Sequence, residues 1–141
     1  MLLTLAALLA LSAPGAGRSS QEHDRADSCE VVEIRSDGRR HDDDRFRATQ
    51  VLELRFEARL LGHRERRGHT LKLRLYTPGG FLYQVLAVPV DAEGRKRLEA
   101  RLPVAGTSIM ASGLYGRWRV VPHLDESPDP CGPARRFTIR P

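Results

Sequence analysis

Cysteine is almost missing from this chain, with Cys29 and Cys131 the only two. An even pair in an exported chain reads as one bridge, and two thiols so far apart make a poor metal site. Lysine is equally scarce: Lys72 and Lys96 are the only ones, so arginine carries nearly all the positive charge. No apolar run is long enough to span a bilayer, which takes about 20 residues. There is no run of helical period, no low-complexity tract and no nucleophile-elbow context around Ser108 or Ser112. These absences point away from a helical bundle, a transmembrane protein and a hydrolase of familiar pattern.

What is present begins with residues 2–11, apolar except for Thr4, followed by small or turn-forming residues from Ser12 to Gly17. This is the layout of a secretory signal over residues 1–17, with no Lys or Arg ahead of the apolar run. Ala13 with Gly15, or Gly15 with Gly17, supplies the small pair before cleavage. Ala26-Asp27-Ser28 precedes Cys29, so no lipid-anchoring motif surrounds that cysteine. Residues 18–28 read as a flexible polar lead-in, and residues 29–141 as one domain. The expected location is secreted or periplasmic, where a Cys29–Cys131 bridge persists. Closing a loop of roughly 100 residues is worth up to about 4.7 kcal/mol on the chain-entropy model.

The formal net charge is +5, with 23 Lys and Arg against 18 Asp and Glu. The two signs are interleaved along the chain, which argues for a solvated, ion-paired surface and against a specific nucleic-acid stripe.

Alternation of period two dominates from Cys29 onward. Cys29 to Arg35 is β-prone, and Ser36 to Arg45 reads as a charged loop. Leu52, Leu54, Phe56, Ala58 and Leu60 alternate with charged residues, which places the apolar set inside and the charges outside, with their alternating signs favouring cross-strand pairs. Leu71, Leu73 and Leu75 alternate with Lys72, Arg74 and Tyr76. Thr77-Pro78-Gly79-Gly80 is a tight turn, followed by a mainly apolar strand from Phe81 toward Val90. Asp91 to Gly94 is a further turn. Leu98, Ala100 and Leu102 face inward, then Pro103 to Ser112 is the least regular stretch. Trp118, Val120 and Pro122 share one face, and Phe137 and Ile139 face inward in the last strand. Segments beginning near Cys29, Thr49, Leu71, Phe81, Arg97, Arg117 and Ala134 make seven strands. Seven short strands with turns at this spacing predict an all-β, immunoglobulin-like antiparallel sandwich.

From Leu71 to Asp125 the chain resembles the β-sandwich modules of the bacterial immunoglobulin-like and alpha-macroglobulin-like families. The resemblance rests on Thr77-Pro78-Gly79-Gly80, Glu93-Gly94, Arg101-Leu102-Pro103 and Gly113-Leu114-Tyr115-Gly116-Arg117-Trp118. It implies a structural or binding role, since such modules serve as stalks, spacers, chaperone-like subunits and trap arms. There is no thioester motif, and the cysteines flank the sandwich. Tyr115 stands where a tyrosine corner would hydrogen-bond across the sheets.

The five histidines show no paired short spacing of zinc ligands, and Asp42-Asp43-Asp44 lacks the alternate-position spacing of a calcium loop. No metal, cofactor or catalytic residue is therefore expected. The leading expectation is a non-catalytic interaction or structural module of the cell envelope whose partner is another envelope or extracellular protein; the oligomeric state is left open. The contact candidates are Arg64, Arg66, Arg67 and His69 in a connection, Lys72, Arg74 and Tyr76 on the neighbouring strand, and exposed strand edges. The alternative is a carbohydrate- or calcium-binding module of the same fold, and a small hydrolase comes third.

Overall fold

The computed structural model describes residues 28–37, 39–40, 43–61, 68–90 and 97–141. The expected leader, nearly all of the lead-in, the turn from Asp91 to Gly94 and the contact candidates Arg64, Arg66 and Arg67 lie outside the described residues. The strands are β1 (Ser28–Ser36), β2 (Arg39–Arg40), β3 (Arg45–Arg47), β4 (Glu53–Leu61), β5 (Thr70–Tyr76), β6 (Leu82–Pro89), β7 (Arg97–Pro103), β8 (Gly116–Leu124) and β9 (Arg135–Arg140), with one helical turn, α1 (Ser108–Ala111). The seven expected strands are β1 and β4 to β9; β2 is a short addition inside the expected charged loop, and β3 another that begins at the loop's last residue, Arg45.

Two sheets form, ordered β2-β1-β4-β7 and β3-β9-β8-β5-β6. The chain visits the second sheet for β3, returns for β4, crosses again for β5 and β6, returns for β7 and ends in the second. This antiparallel, two-layer path with crossovers between the layers is the immunoglobulin-like sandwich. Only β3 runs parallel to its neighbour, with Phe46 opposite Ile139.

Alternation sets the core. Leu54, Phe56 and Ala58 of β4, Leu71, Leu73 and Leu75 of β5, and Trp118 and Val120 of β8 are fully enclosed between the layers. Phe56 meets Phe137 edge-on at 5.4 Å between centroids, Phe137 stacks on Trp118 at 6.1 Å, and Tyr83 closes on Trp118 at 5.2 Å. Such aromatic pairs add to the burial of area itself. Trp118 Nε1 donates to Leu114 O at 2.9 Å, so its one polar atom is satisfied. Tyr115 is packed against this core, and the indole bond is local, joining the start of β8 to the residue before Tyr115.

The disulfide joins Cys29 in β1 to Cys131 in the β8–β9 connection, with Cα atoms 5.2 Å apart and a sequence separation of 102. Cys29 N also donates to Cys131 O at 2.9 Å. The approach is so close that a Cβ on Gly132 would stand 1.8 Å from Cys29 O, which makes glycine obligatory there.

Two local expectations need correction. Leu52 is 70 % exposed, and Val51 is buried in its place. The chain bends before β4, where Asp37 accepts from Leu52 N at 3.2 Å and Leu52 O accepts from Val104 N, so the period-two phase of β4 does not extend back to residue 52. The stretch from Pro103 to Ser112 contains α1, whose single turn is capped by Thr107 Oγ1 accepting from Ile109 N at 3.3 Å and anchored by buried Ile109.

Candidate interaction surface

The two outer faces of the sandwich differ in charge. On the four-stranded sheet, glutamates and arginines alternate along β4 and β7, and β1 adds Glu33 and Arg35 beside them. The antiparallel register sets like charge opposite like charge: Glu33, Glu57 and Glu99 form one row and Arg35, Arg55 and Arg101 the next. Directly opposed like charges repel, so the attraction runs diagonally and along the strands. Arg35 reaches Glu57 at 2.5 Å and Glu33 at 2.8 Å, Arg97 reaches Glu57 at 3.1 Å, and Arg55 reaches Glu53 at 2.7 Å. Beside Glu33, and bonded to Glu57, the Arg35 guanidinium holds its proton above the usual arginine range. This face neutralises itself.

The five-stranded sheet has no such ladder. Strands β3, β5, β6, β8 and β9 contain no aspartate or glutamate. On its outer face Tyr76, Arg119 and Arg136 lie in one row across β5, β8 and β9, with Arg74, Arg117 and Arg140 nearby. Arg119 and Arg136 are directly opposed and exposed, and neither Arg74, Arg117, Arg119 nor Arg136 forms an ion pair among the described residues. The interleaving of signs along the chain thus does not carry over to the surface: the expected ion-paired surface holds for one face only. Period-two alternation decides which residues point outward; the strand order decides which outward residues become neighbours, and it makes the second sheet entirely of acid-free strands.

Strand β6 forms the margin of that basic face. It is the last strand of its sheet, with β5 on its other side. Its eight residues, Leu-Tyr-Gln-Val-Leu-Ala-Val-Pro, carry no charge. Leu82, Val85 and the preceding Phe81 are 53 %, 40 % and 77 % exposed. The edge of the other sheet is built differently, since β7 alternates Arg97, Glu99 and Arg101 along its exposed side. Charges on an edge strand discourage pairing with another chain. Strand β7 has that protection, and β6 lacks it apart from Pro89 at its end.

The described contact candidates separate by role. His69 Nδ1 donates to Asp125 Oδ2 at 2.7 Å, and Asp125 Oδ1 accepts from Thr70 N at 2.8 Å. The His69 hydrogen bond holds the Asp125 carboxyl below the usual range. This pair clasps the start of β5 to the end of β8. Lys72 is occupied by Glu126. Arg74 and Tyr76 do share the outer face, and Arg119 lies over the Tyr76 ring, its Cζ 4.5 Å from the centroid. Arg117, Arg119, Arg136 and the β6 margin were not among the sequence candidates. Their signal was legible as the absence of any acid from Thr70 to Tyr76, Leu82 to Pro89, Gly116 to Leu124 and Arg135 to Arg140.

Among the described residues no three His, Cys, Asp or Glu side chains gather as a cation site, and no helix is long and apolar enough to cross a membrane. No family model matches the chain, and no curated protein matches it in sequence. Among solved structures, the chain is similar to an immunoglobulin-like protein of Pseudomonas aeruginosa, with a TM-score of 0.46 and 15 % identity over 78 % of this chain and 98 % of that one. A β-glucuronidase of Bifidobacterium dentium, complexed with coumarin-3-O-glucuronide, aligns with a TM-score of 0.38 and 14 % identity over 79 % of this chain; the alignment covers 17 % of the enzyme.

Proposed function

We propose that this chain is a secreted or periplasmic module that works by binding another envelope or extracellular protein, without catalysis, through the margin and outer face of its five-stranded sheet. The observation that carries this reading is β6: an uncharged edge strand with exposed apolar side chains beside a row of arginines and a tyrosine. Arginine and aromatic side chains are enriched at protein interfaces, where charged lysine and glutamate are depleted. A disulfide is kept in oxidising compartments, which supports the export reading. The His69–Asp125 pair, fastened also to the Thr70 amide, fits a strand-end clasp better than a catalytic base.

Site-specific photo-crosslinking in the cells that make the protein tests it. A crosslinking residue at Val85 or Ala87 of β6 is expected to capture one discrete protein, while the same residue at Arg59 of the ladder face captures none. No adduct from any of these positions would refute the assignment.

A further inference from the structure

The β6 margin and the basic face are adjacent, and together they restrict what the partner is. On the outward side, Leu82, Val85 and Ala87 of β6 sit opposite Tyr76, Arg74 and Lys72 of β5. A strand added to β6 would lie about 4.8 Å beyond it, the ordinary spacing of hydrogen-bonded neighbours. Every second side chain of that strand would stand over the same outer face, next to the small Val85 and Ala87 and within the span of long side chains extending from Arg74. On the opposite side its alternate residues would continue the layer to which Leu86 contributes a buried side chain. The unbonded backbone of an edge strand supplies main-chain affinity, and the alternating side chains supply specificity.

Resting on the protein-binding reading above, we infer that the occupant is an extended protein segment that adds to β6 as a sixth strand and alternates acidic with apolar residues, its acids facing the arginine face. Charge complementarity sets the sign, because the face formed by Arg74, Arg117, Arg119 and Arg136 holds no carboxylate among the described residues to satisfy it. The apolar margin sets the class. A sulfated or carboxylated polysaccharide would use the arginines and leave Phe81, Leu82 and Val85 in water, and it has no backbone amides to offer the edge. A second copy of this chain pairing through its own β6 would bring a strand without a single acid, and through β7 one with two arginines to a single glutamate.

The test uses the purified disulfide-bonded chain and four probes: a blocked peptide of alternating Glu and Val long enough to cover β6, its Lys–Val counterpart, the Glu–Val peptide with alternate N-methylated amides, and dextran sulfate. The Glu–Val peptide is expected to bind and to raise the melting temperature, as a ligand selective for the native state must. Binding should weaken as salt shortens the Debye length toward about 3 Å near 1 M. The Lys–Val and N-methylated peptides should fail, and dextran sulfate should not bind comparably. Arg74→Glu, on the strand beside β6, is expected to weaken the Glu–Val peptide by roughly tenfold or more, because like charges across an interface are strongly unfavourable. Arg119→Glu with Arg136→Glu, three and four strands from the peptide, should weaken it at about 0.01 M salt, where the Debye length of about 30 Å spans the sheet. Val85→Glu, which leaves those arginines in place but sets a carboxylate beside the peptide's acids, should weaken it as well, because like charges on neighbouring strands repel. Equal binding of the Lys–Val peptide, retention by the N-methylated peptide, or dextran sulfate binding as well as the peptide would each overturn the inference. So would the absence of peptide binding; a partner still captured at Val85 would in that case leave the protein-binding reading standing, whereas loss of both sinks it too.

Discussion

Arg135 crosses from β9 to Asp44, with Nε and Nη2 each 2.8 Å from Oδ2. Its Nη1 donates to the carbonyls of Val31 and Val32, beside the bulge of β1. One guanidinium therefore fastens three segments: the last strand, the bulged first strand and the turn that leads into β3. Asp44 holds a positive φ of 49° and its own carbonyl accepts from Thr138 N, so the turn is held from both ends. Arg135→Lys keeps the charge and loses the fork, since an ammonium cannot present several fixed donors at once. We expect it to lower unfolding free energy by about 1.5–3 kcal/mol, the range for hydrogen bonds to charged groups. Arg136→Lys, one residue on and exposed, should stay within about 0.5 kcal/mol of the parent. Urea unfolding followed by tryptophan fluorescence measures both.

The Cys29–Cys131 link and Gly132 make separate contributions that the same assay can resolve. Replacing both cysteines by serine should cost about 2–5 kcal/mol, the usual range for a native bridge in a small domain. Gly132→Ala should cost about 1–3 kcal/mol or more, as overpacking does. The clash of the added methyl is with a backbone carbonyl, not with sulfur. Its penalty should therefore persist in the reduced protein, and a penalty that vanishes on reduction would contradict the packing described.

The strands that could be read from sequence are those whose two faces differ. Leu54 to Leu60, Leu71 to Leu75 and Leu98 to Leu102 alternate without interruption, and all three form as expected with their apolar residues buried. What escaped is governed by contacts distant in the chain. Val51 rather than Leu52 turns inward because Asp37 and Val104 hold the bend ahead of β4. Strand β3 has three residues, too few to show a period, and exists because β9 supplies its partner. Helix α1 is one turn around Ile109, also too short to show a period. The basic face was hidden for another reason. Counting charges along the whole chain mixes the two sheets, and only the strand order separates the acid-free set from the ladder.

Acid should loosen the clasp at the start of β5. Asp125 has a folded-state pKa below its ordinary value, chiefly through the His69 hydrogen bond, with the Thr70 amide contributing. A depressed carboxyl contributes stability at pH values above its unfolded pKa, and that contribution disappears as pH falls through the folded one. Asp125→Asn should therefore be less stable than the parent at neutral pH, and the gap between them should narrow as pH falls below the usual aspartate range. Urea midpoints for both proteins across that interval give the answer; a gap independent of pH would show that the ionised carboxylate is not what the clasp uses.

The arginine face itself predicts a conflict between stability and binding. Arg119 and Arg136 oppose each other directly across β8 and β9, and neither has an acid partner among the described residues. Like charges in that position are destabilising, and an opposite pair contributes roughly 0.2–1 kcal/mol relative to alanines. Arg136→Glu would set a carboxylate opposite Arg119, so it should raise the unfolding free energy by a few tenths to about 1 kcal/mol. The same change should weaken the acidic Glu–Val peptide at low salt, where a Debye length of about 30 Å at about 0.01 M spans the three strands between them. On the ladder face the sign reverses: Glu57→Arg, at a site only 13 % exposed and contacted by Arg35 and Arg97, should destabilise the fold and leave peptide binding unaltered. A face retained only for solubility would gain stability from Arg136→Glu with no loss elsewhere. A face kept basic for a partner loses that partner as it gains stability, the trade expected where function is placed on an unfavourable arrangement of charge.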